Sequence, residues 1–211
     1  MQRRVLVKPF ALVFTLSSLV ACAHSGFLDK VPQHRMGRRL EYQGFSFDRP
    51  SNLNWYLLKS ESSHTKVLLR RHIWMAKDTH TFYALVKIGG IDSQPSSHAA
   101  FAEMAKCEEQ YADYSIELEN YQQSPTTRQN QWCIRFESSY KITHHPQFPE
   151  EELRMILRGY RCLHPAWPNR TLDFFYSERG LPDEIDPKLS SEGEAFLERV
   201  RIDVGPGSAA F

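Results

Sequence analysis

The chain contains 211 residues, of which 41% are hydrophobic, 12% aromatic and 24% charged, the composition of a globular domain that buries one core. Its formal net charge is +1, from 26 basic and 25 acidic residues. Residues 1–21 hold three basic and no acidic residues, so without them 23 basic residues face 25 acidic ones. This nearly neutral balance argues against a protein that binds nucleic acid.

The first 21 residues have the layout of an export signal. A cationic segment, residues 1–8, precedes an apolar run, residues 9–20, which is too short to span a bilayer, since spanning needs roughly 20 apolar residues. The run ends in Leu-Val-Ala-Cys at residues 19–22, which resembles a bacterial lipobox. The resemblance implies cleavage before Cys22 and a diacylglycerol thioether on its sulfur. The alternative is an ordinary secretory signal followed by a coincidental cysteine.

Ala23, and not an aspartate, follows this cysteine. By analogy with the sorting rule of Gram-negative bacteria, this residue favours the outer membrane, with the domain on the periplasmic face. Two or more acyl chains hold a protein on a bilayer almost irreversibly. The sequence therefore predicts a water-facing domain that is anchored to the membrane through lipid on Cys22.

The rest of the chain divides by composition into three segments. Residues 22–38 are small and polar and are interrupted by glycine and proline, which predicts a flexible linker between the lipid and the domain. Residues 205–211 are predicted to be a disordered tail. A single domain over residues 39–204 lies between them.

Within this domain, eight runs rich in β-branched and aromatic residues alternate with turn signals, as β-strands do. They are Glu41–Phe47, Asn54–Leu58, Thr65–Trp74, Thr81–Lys87, Ser115–Tyr121, Gln131–Lys141, Glu152–Leu163 and Leu172–Ser177.

Two segments have helical periodicity. The first, about Ser97–Ala112, places four apolar side chains on one stripe: Phe101, Met104, Ala105 and Tyr111. The second is predicted to start at a capping box formed by Ser191 and Glu194, and it presents three apolar side chains to the core: Phe196, Leu197 and Val200. Many antiparallel strands with two helices packed on them predict an α+β fold.

In an oxidising compartment, the three cysteines other than Cys22 allow at most one intramolecular disulfide. Two predicted strands, Gln131–Lys141 and Glu152–Leu163, flank a short loop and pair as a hairpin. When Cys133 is set opposite Cys162, an ion pair falls on the same face and an aromatic ring covers a glycine on the other face. These two pairs are Glu137 with Arg158 and Phe136 with Gly159.

A cross-strand disulfide between Cys133 and Cys162 is therefore predicted. In the chain-entropy model, closing such a loop stabilises a domain by roughly 3–4 kcal/mol. Cys107 is then left as a half-buried, unreactive thiol beside the first helical stripe. A metal site formed by the same two cysteines and His164 would need reduced thiolates and a fourth ligand. We therefore predict no metal and no other cofactor.

Four segments carry a resemblance to an uncharacterised family of proteobacterial lipoproteins. They are Trp132–Phe136, Arg158–Pro165, Phe175–Arg179 and Glu192–Leu197. The family pattern is similar: a cysteine, then Gly-x-x-Cys-x-His-Pro, a Tyr-Ser-x-Arg strand end and a terminal helix. More loosely, the order of strands and helices resembles PsbP-like domains, which are small α/β sandwiches with an antiparallel sheet.

Two classes of function stay open. The first is a non-enzymatic envelope lipoprotein whose domain binds a protein partner or another envelope component, and it predicts an exposed apolar or aromatic patch. The second is a periplasmic hydrolase. It predicts a pocket in which His164, Ser177 or the loop with His144 and His145 meets a carboxylate.

The disulfide assignment is tested by counting thiols in the chain with Cys22→Ala. After denaturation without reductant, we expect one thiol that reacts with a chromogenic disulfide, because only Cys107 lacks a covalent partner. After reduction we expect three. Three reactive thiols before reduction would contradict the pairing.

Overall fold

A computed structural model of the chain describes residues 30–58, 66–73, 77–105 and 116–203. The predictions for the signal segment, for the tail, and for Cys22 and Cys107 lie outside these residues. The described ranges contain eleven strands. In chain order they are β1 (Lys30–Pro32), β2 (Arg39–Tyr42), β3 (Phe45–Asp48), β4 (Trp55–Leu58), β5 (Lys66–Arg71), β6 (Thr81–Gly90), β7 (Ile116–Arg128), β8 (Gln131–Ile142), β9 (Leu153–Leu163), β10 (Arg170–Gly180) and β11 (Val200–Ile202).

Eight of these strands form the main sheet, in the order β1-β4-β5-β6-β10-β9-β8-β7. The other three form a small sheet, in the order β11-β3-β2. All the strand pairs are antiparallel. Two α-helices, α1 (His98–Met104) and α2 (Pro187–Leu197), and a 3-10 turn at Gln33–Arg35 complete the described elements. The α+β fold with a mainly antiparallel sheet is confirmed.

The strand prediction Glu41–Phe47 joined two strands that the structure separates. The chain turns between β2 and β3 at Gly44, whose φ of +82° is a left-handed conformation that favours glycine. A β-carbon there would lie 2.6 Å from the ring of Trp167 and 2.7 Å from His164 Nε2. The turn therefore requires glycine for two reasons, its backbone angle and the close approach of the β9–β10 connection.

The larger core lies between one face of the main sheet, here called the front face, and the layer formed by α2 and the small sheet. Phe196 of α2 contacts Phe47 of β3 edge-to-face, with ring centroids 5.6 Å apart, and also stacks on Trp55 of β4. All three side chains are at most 2% exposed. Burying each such ring contributes about 1.5–3 kcal/mol or more. The predicted core positions Phe196, Leu197 and Val200 are buried as expected.

The back face of the main sheet carries α1. Phe101 and Ala105 of the predicted stripe are fully buried, whereas Met104 is 36% exposed. Arg161 of β9 forms a two-point ion pair with the buried carboxylate of Asp173, with both N–O distances 3.0 Å. The same guanidinium donates to the Ala105 carbonyl at 3.0 Å, and so ties the end of α1 to the sheet.

The predicted linker over residues 22–38 is wrong in its second half. Residues Lys30–Pro32 form β1, in which Val31 pairs with Leu57 at the edge of the main sheet. Met36 is 5% exposed and belongs to the larger core. Proline is tolerated in an edge strand because its missing N–H faces away from the ladder. The glycine and proline residues that suggested a spacer are thus compatible with a folded segment from residue 30 onwards.

Helix α2 begins five residues before its predicted start, with Asp186 and not Ser191 as the capping residue. Asp186 caps it by accepting a hydrogen bond from the Lys188 amide at 2.9 Å, and Pro187 occupies the first turn. Both residue types are favoured at these positions. Ser191 instead lies inside the helix, and the carboxylate of Glu194 turns toward the main sheet. The predicted capping box is therefore wrong because an earlier and stronger start signal was present.

The predicted register of the β8–β9 hairpin is confirmed. Cys133 lies opposite Cys162, and the two side chains form a fully buried disulfide. Glu137 lies opposite Arg158, and their side chains form an ion pair of 2.9 Å. Phe136 lies opposite Gly159, as the same register requires. The two strands are therefore locked in one alignment by covalent, ionic and packing contacts.

Four arginines from the front face hold α2 in place. Arg135 of β8 donates to Glu194 at 2.9 Å, and Arg158 of β9 donates to Ser190 at 3.0 Å. Arg71 forms two hydrogen bonds with Glu192, and Arg128 reaches Glu198 and the Leu197 carbonyl. Charge-assisted hydrogen bonds of this kind are the stronger ones in proteins. The helix is thus fixed along its length by residues from β5, β7, β8 and β9.

The close seating of α2 also depends on Gly193. A β-carbon at this position would lie 2.5 Å from the ring of Tyr176 on β10. Burial raises the pKa of Tyr176, so its hydroxyl stays protonated and donates to Glu194 at 3.0 Å. The helix therefore rests directly on the tyrosine ring, with a hydrogen bond beside it.

Gly193→Ala should destabilise the domain, although alanine favours helix by about 1 kcal/mol over glycine. The added methyl group would push α2 away from Tyr176, and overpacking of this kind costs about 1–3 kcal/mol. We expect the Tm to fall by about 2–4 °C for each kcal/mol lost in a domain of this size. Thermal unfolding followed by circular dichroism measures the change.

The matched control is Ser191→Ala, on an exposed position of the same helix. It should change the Tm far less than Gly193→Ala does. An increase in Tm for Gly193→Ala would mean that α2 does not rest on the tyrosine ring.

Candidate anion-binding groove

His164, one of the predicted catalytic candidates, is a structural residue. Its Nδ1 accepts a hydrogen bond from the Ala166 amide, so Nε2 carries the proton and donates to the Gly44 carbonyl at 3.0 Å. The ring stacks on Trp167 with centroids 4.1 Å apart, and the residue is 1% exposed. Both ring nitrogens are thus engaged in joining the β2–β3 turn to the β9–β10 connection.

Ser177 lies far from His164. It is buried on the back face of β10 and pairs with Leu157 of β9, and seven residues of extended chain, about 23 Å, separate Leu157 from His164. The neighbouring carboxylate, Glu178, belongs to the opposite face because side chains alternate along a strand. It is buried and engaged with His80 at 2.9 Å. The structure therefore does not bring this serine, histidine and carboxylate together.

The loop with His144 and His145 lies at the opposite end of the β8–β9 hairpin from His164, beside Arg179 near the end of β10. Arg179 donates to His145 Nε2 at 2.9 Å, and the His145 ring stacks on Phe148. Burial and the nearby positive charge of Arg179 lower the pKa of His145. In the described ranges, no three His, Cys, Asp or Glu side chains gather as a metal ion would require. Cys133 and Cys162 are bonded to each other.

The described surface contains a different feature, an open groove of about 500 Å³ that is lined by three arginines and one carboxylate. We call it the arginine groove, and its lining residues are Gln33, Arg38, Asp48, Arg49, Pro50, Ser51 and Arg199. They come from three parts of the chain: the 3-10 turn and the segment after it, the end of β3, and the end of α2.

Local sequence explains how these segments meet. Pro50 cannot donate to a strand ladder and restricts the residue before it to extended conformations, so β3 ends and the chain turns away. The Gln33 side chain is buried and donates to the Pro50 carbonyl at 2.7 Å. The Arg49 amide donates to the Arg38 carbonyl at 3.0 Å. These two bonds join the segment from Gln33 to Arg38 to the segment from Asp48 to Ser51, and together the two segments form one wall of the groove.

Two of the arginines are held in place by backbone carbonyls. Arg49 donates to the Met36 carbonyl at 3.1 Å, and Arg199 donates to the Arg49 carbonyl at 3.1 Å and to Ser51 Oγ at 3.3 Å. A guanidinium carries five N–H donors, so these bonds leave most of them for a ligand. Arg38 is exposed, and its guanidinium contacts no carboxylate of the described residues.

The groove is therefore electropositive, and the donors of Arg49 and Arg199 are ordered before a ligand arrives. In the part of the chain that the structure describes, no salt bridge includes Arg38, Arg49 or Arg199. Guanidinium groups bind carboxylate and phosphate through two parallel hydrogen bonds. Arginine supplies neither a nucleophile nor a base at neutral pH, so this arrangement suits anion binding.

The apolar patch expected of a protein-binding surface is not found in the described residues. The large apolar side chains that they expose are Leu53, Met104 and Leu118, on three separate segments. No described helix is long and apolar enough to cross a membrane. Sequence analysis missed the arginine groove, although the run of four basic residues without an acidic one in residues 30–39 was a signal for it.

No protein-family model matches the chain, and no curated protein matches it in sequence. Among solved structures, the chain is similar to the Ran-binding protein Mog1p of Saccharomyces cerevisiae, at 11% identity and a TM-score of 0.40, over 78% of this chain and 94% of that one. A mutant of Mog1 gives 11% identity and a TM-score of 0.42, over 79% and 96%. Cyanobacterial PsbP from Synechocystis gives 14% identity and a TM-score of 0.39, over 78% and 91%.

The burial of His164 has a consequence for stability at low pH. Burial lowers the pKa of His164 below its ordinary value of 6.5, although the bond to the Gly44 carbonyl opposes the shift. A histidine with a lowered folded-state pKa stabilises the domain fully above its unfolded-state pKa, and this contribution is lost as the pH falls. We expect a lower free energy of unfolding at pH 5 than at pH 7.5.

Urea unfolding at the two pH values, with native protein and with His164→Gln, measures this effect. Because glutamine does not titrate, the difference between pH 7.5 and pH 5 should shrink in the variant. An equal pH dependence in both proteins would show that His164 does not contribute to it.

Proposed function

We propose that this chain is a lipid-anchored protein of the Gram-negative cell envelope whose domain binds a protein partner or another envelope component and catalyses no reaction. Support for the anchor comes from the lipobox-like residues 19–22 and the cationic and apolar segments before them. Support for binding comes from the arginine groove. Support for the outer membrane comes from Ala23, which follows the cysteine where the sorting rule would need an aspartate for retention in the inner membrane.

The observation that carries the binding proposal is a set of three guanidinium groups, two of them held by hydrogen bonds, without carboxylate partners in the described residues. Positive charges that line one groove repel one another, and an anionic ligand would relieve this repulsion. Arg38, Arg49 and Arg199 share their groove with a single acidic residue, Asp48. The groove therefore suits an acidic group on a binding partner.

The hydrolase alternative has less support. A hydrolytic site needs a nucleophile, a base and an orienting group within hydrogen-bond reach of one another. His164 is engaged with Gly44 and Ala166, and Ser177 lies about 23 Å away along the sheet. Neither residue lines the groove.

The anchor is tested by fractionating cells that express the native chain or Cys22→Ala. We expect the native protein in the membrane fraction and the variant in the soluble envelope fraction, because the variant lacks the acceptor for lipid. Metabolic labelling with a fatty acid should mark the native chain alone. Equal partitioning of both chains would reject the lipid anchor.

Binding through the groove is tested with a photo-crosslinking amino acid at position 51, on the groove wall, in intact cells. We expect an adduct that disappears when Arg38→Glu is added and persists with Lys188→Glu. Lys188 is an exposed residue in the first turn of α2, about 16 Å along the helix from Arg199, and it gives the same change of charge. Loss of the adduct with both variants, or with neither, would remove the groove from the binding surface.

A further inference from the structure

We infer that the anion bound by the arginine groove is the phosphate group of an anionic phospholipid in the membrane to which the chain is anchored. This inference rests on the proposed function, because it takes the domain to be held at a bilayer. It also names the ligand class, which the proposed function leaves as an acidic group on a partner.

The donor set favours phosphate. One guanidinium fork is enough for one carboxylate, whereas the groove offers three forks around a common space of about 500 Å³. A phosphate group presents several charged oxygens in different directions, so it can accept from Arg38, Arg49 and Arg199 together. All three cationic lining residues are arginines rather than lysines, as planar two-point recognition requires.

The surroundings of the groove favour a membrane as the source of that phosphate. Residues 30–39 contain four basic residues and no acidic residue, and all four are exposed: Lys30, Arg35, Arg38 and Arg39. Basic side chains near an anionic bilayer surface are attracted to it over about one Debye length, near 10 Å at 0.1 M salt. This segment leads directly into the groove, since Gln33 and Arg38 line it.

An exposed leucine lies next to the same surface. Leu53 is 67% exposed, the most exposed large apolar side chain of the described residues, and it follows Ser51 of the groove wall by two positions. A basic surface with an apolar side chain at its rim is the composition of segments that settle at the headgroup region of a bilayer.

The position of the anchor makes this contact geometrically accessible. Eight peptide steps connect Cys22 with Lys30, so their Cα atoms are at most about 28 Å apart when the chain is fully extended. The groove begins only three residues after Lys30, at Gln33. Lipid on Cys22 would therefore keep the groove at a high effective concentration relative to the headgroups.

The experiment measures the binding of residues 22–211 with Cys22→Ser to vesicles, so that lipidation does not mask the weaker contact. Vesicles of phosphatidylcholine with about 30% phosphatidylglycerol, an anionic content that gives a strong surface potential, are compared with vesicles of phosphatidylcholine alone. We expect sedimentation with the anionic vesicles, weakening as salt is raised toward 1 M, and little with the neutral ones.

Arg38→Glu should reduce the partition coefficient on anionic vesicles by about tenfold or more, because it removes one attractive charge and adds a repelled one. Lys188→Glu changes the charge equally at the opposite end of α2, and it should reduce partitioning by less than about threefold. Leu53→Ser should weaken binding without changing its dependence on salt. Unchanged Tm values of the three variants would establish that they fold.

Two further measurements distinguish a lipid phosphate from other anions that the groove could bind. NMR titration with inorganic phosphate and with a soluble glycerophosphate headgroup should shift the signals of the groove residues, whereas an acidic peptide should shift them less. Equal effects of Arg38→Glu and Lys188→Glu on the vesicles would overturn the groove as the lipid site. A crosslinked protein at position 51 combined with no binding of vesicles or phosphate would reject this inference and leave the proposed function standing.

Discussion

The pairing register of β8 and β9 decides on which face of the main sheet each of their side chains lies. Because side chains alternate along a strand, a shift by one residue would move every one of them to the other face. The disulfide between Cys133 and Cys162 prevents such a shift by covalent means. It does so within the core, where both sulfurs are out of contact with solvent.

The position of α2 depends on this alignment. Arg135 and Arg158 reach the helix only because the register points them to the front face, where they meet Glu194 and Ser190. Tyr176 on the adjacent strand supports the helix from below at Gly193. The polar side of α2 is thus matched to the sheet residue by residue, and the apolar side, with Phe196, closes the larger core against the small sheet.

The arginine groove depends in turn on the position of α2. Arg199 follows the end of α2, and it donates to the carbonyl of Arg49, which lies 150 positions earlier in the chain. The other wall is held by Gln33, whose segment packs on the core through Met36. A binding surface of this kind is built from segments that are far apart in the chain, so neither the periodicity nor the residue spacing of the sequence predicts that they meet. The positive charge of the groove comes from individual arginines that the sequence shows, but the packing of the whole domain decides that they line one groove.

The sequence by itself determined the α+β class, the strands from Gln131 to Leu163 and their register, because these features depend on alternation and on residues close in the chain. It also predicted the apolar side of α2 through Phe196 and Leu197. Only the tertiary structure decided that Lys30–Pro32 is a strand, since this short edge strand is stabilised by Leu57 and its neighbours rather than by its own propensity. Likewise, only packing decided that His164 serves the fold and that Arg38, Arg49 and Arg199 converge, because such convergence results from long-range contacts.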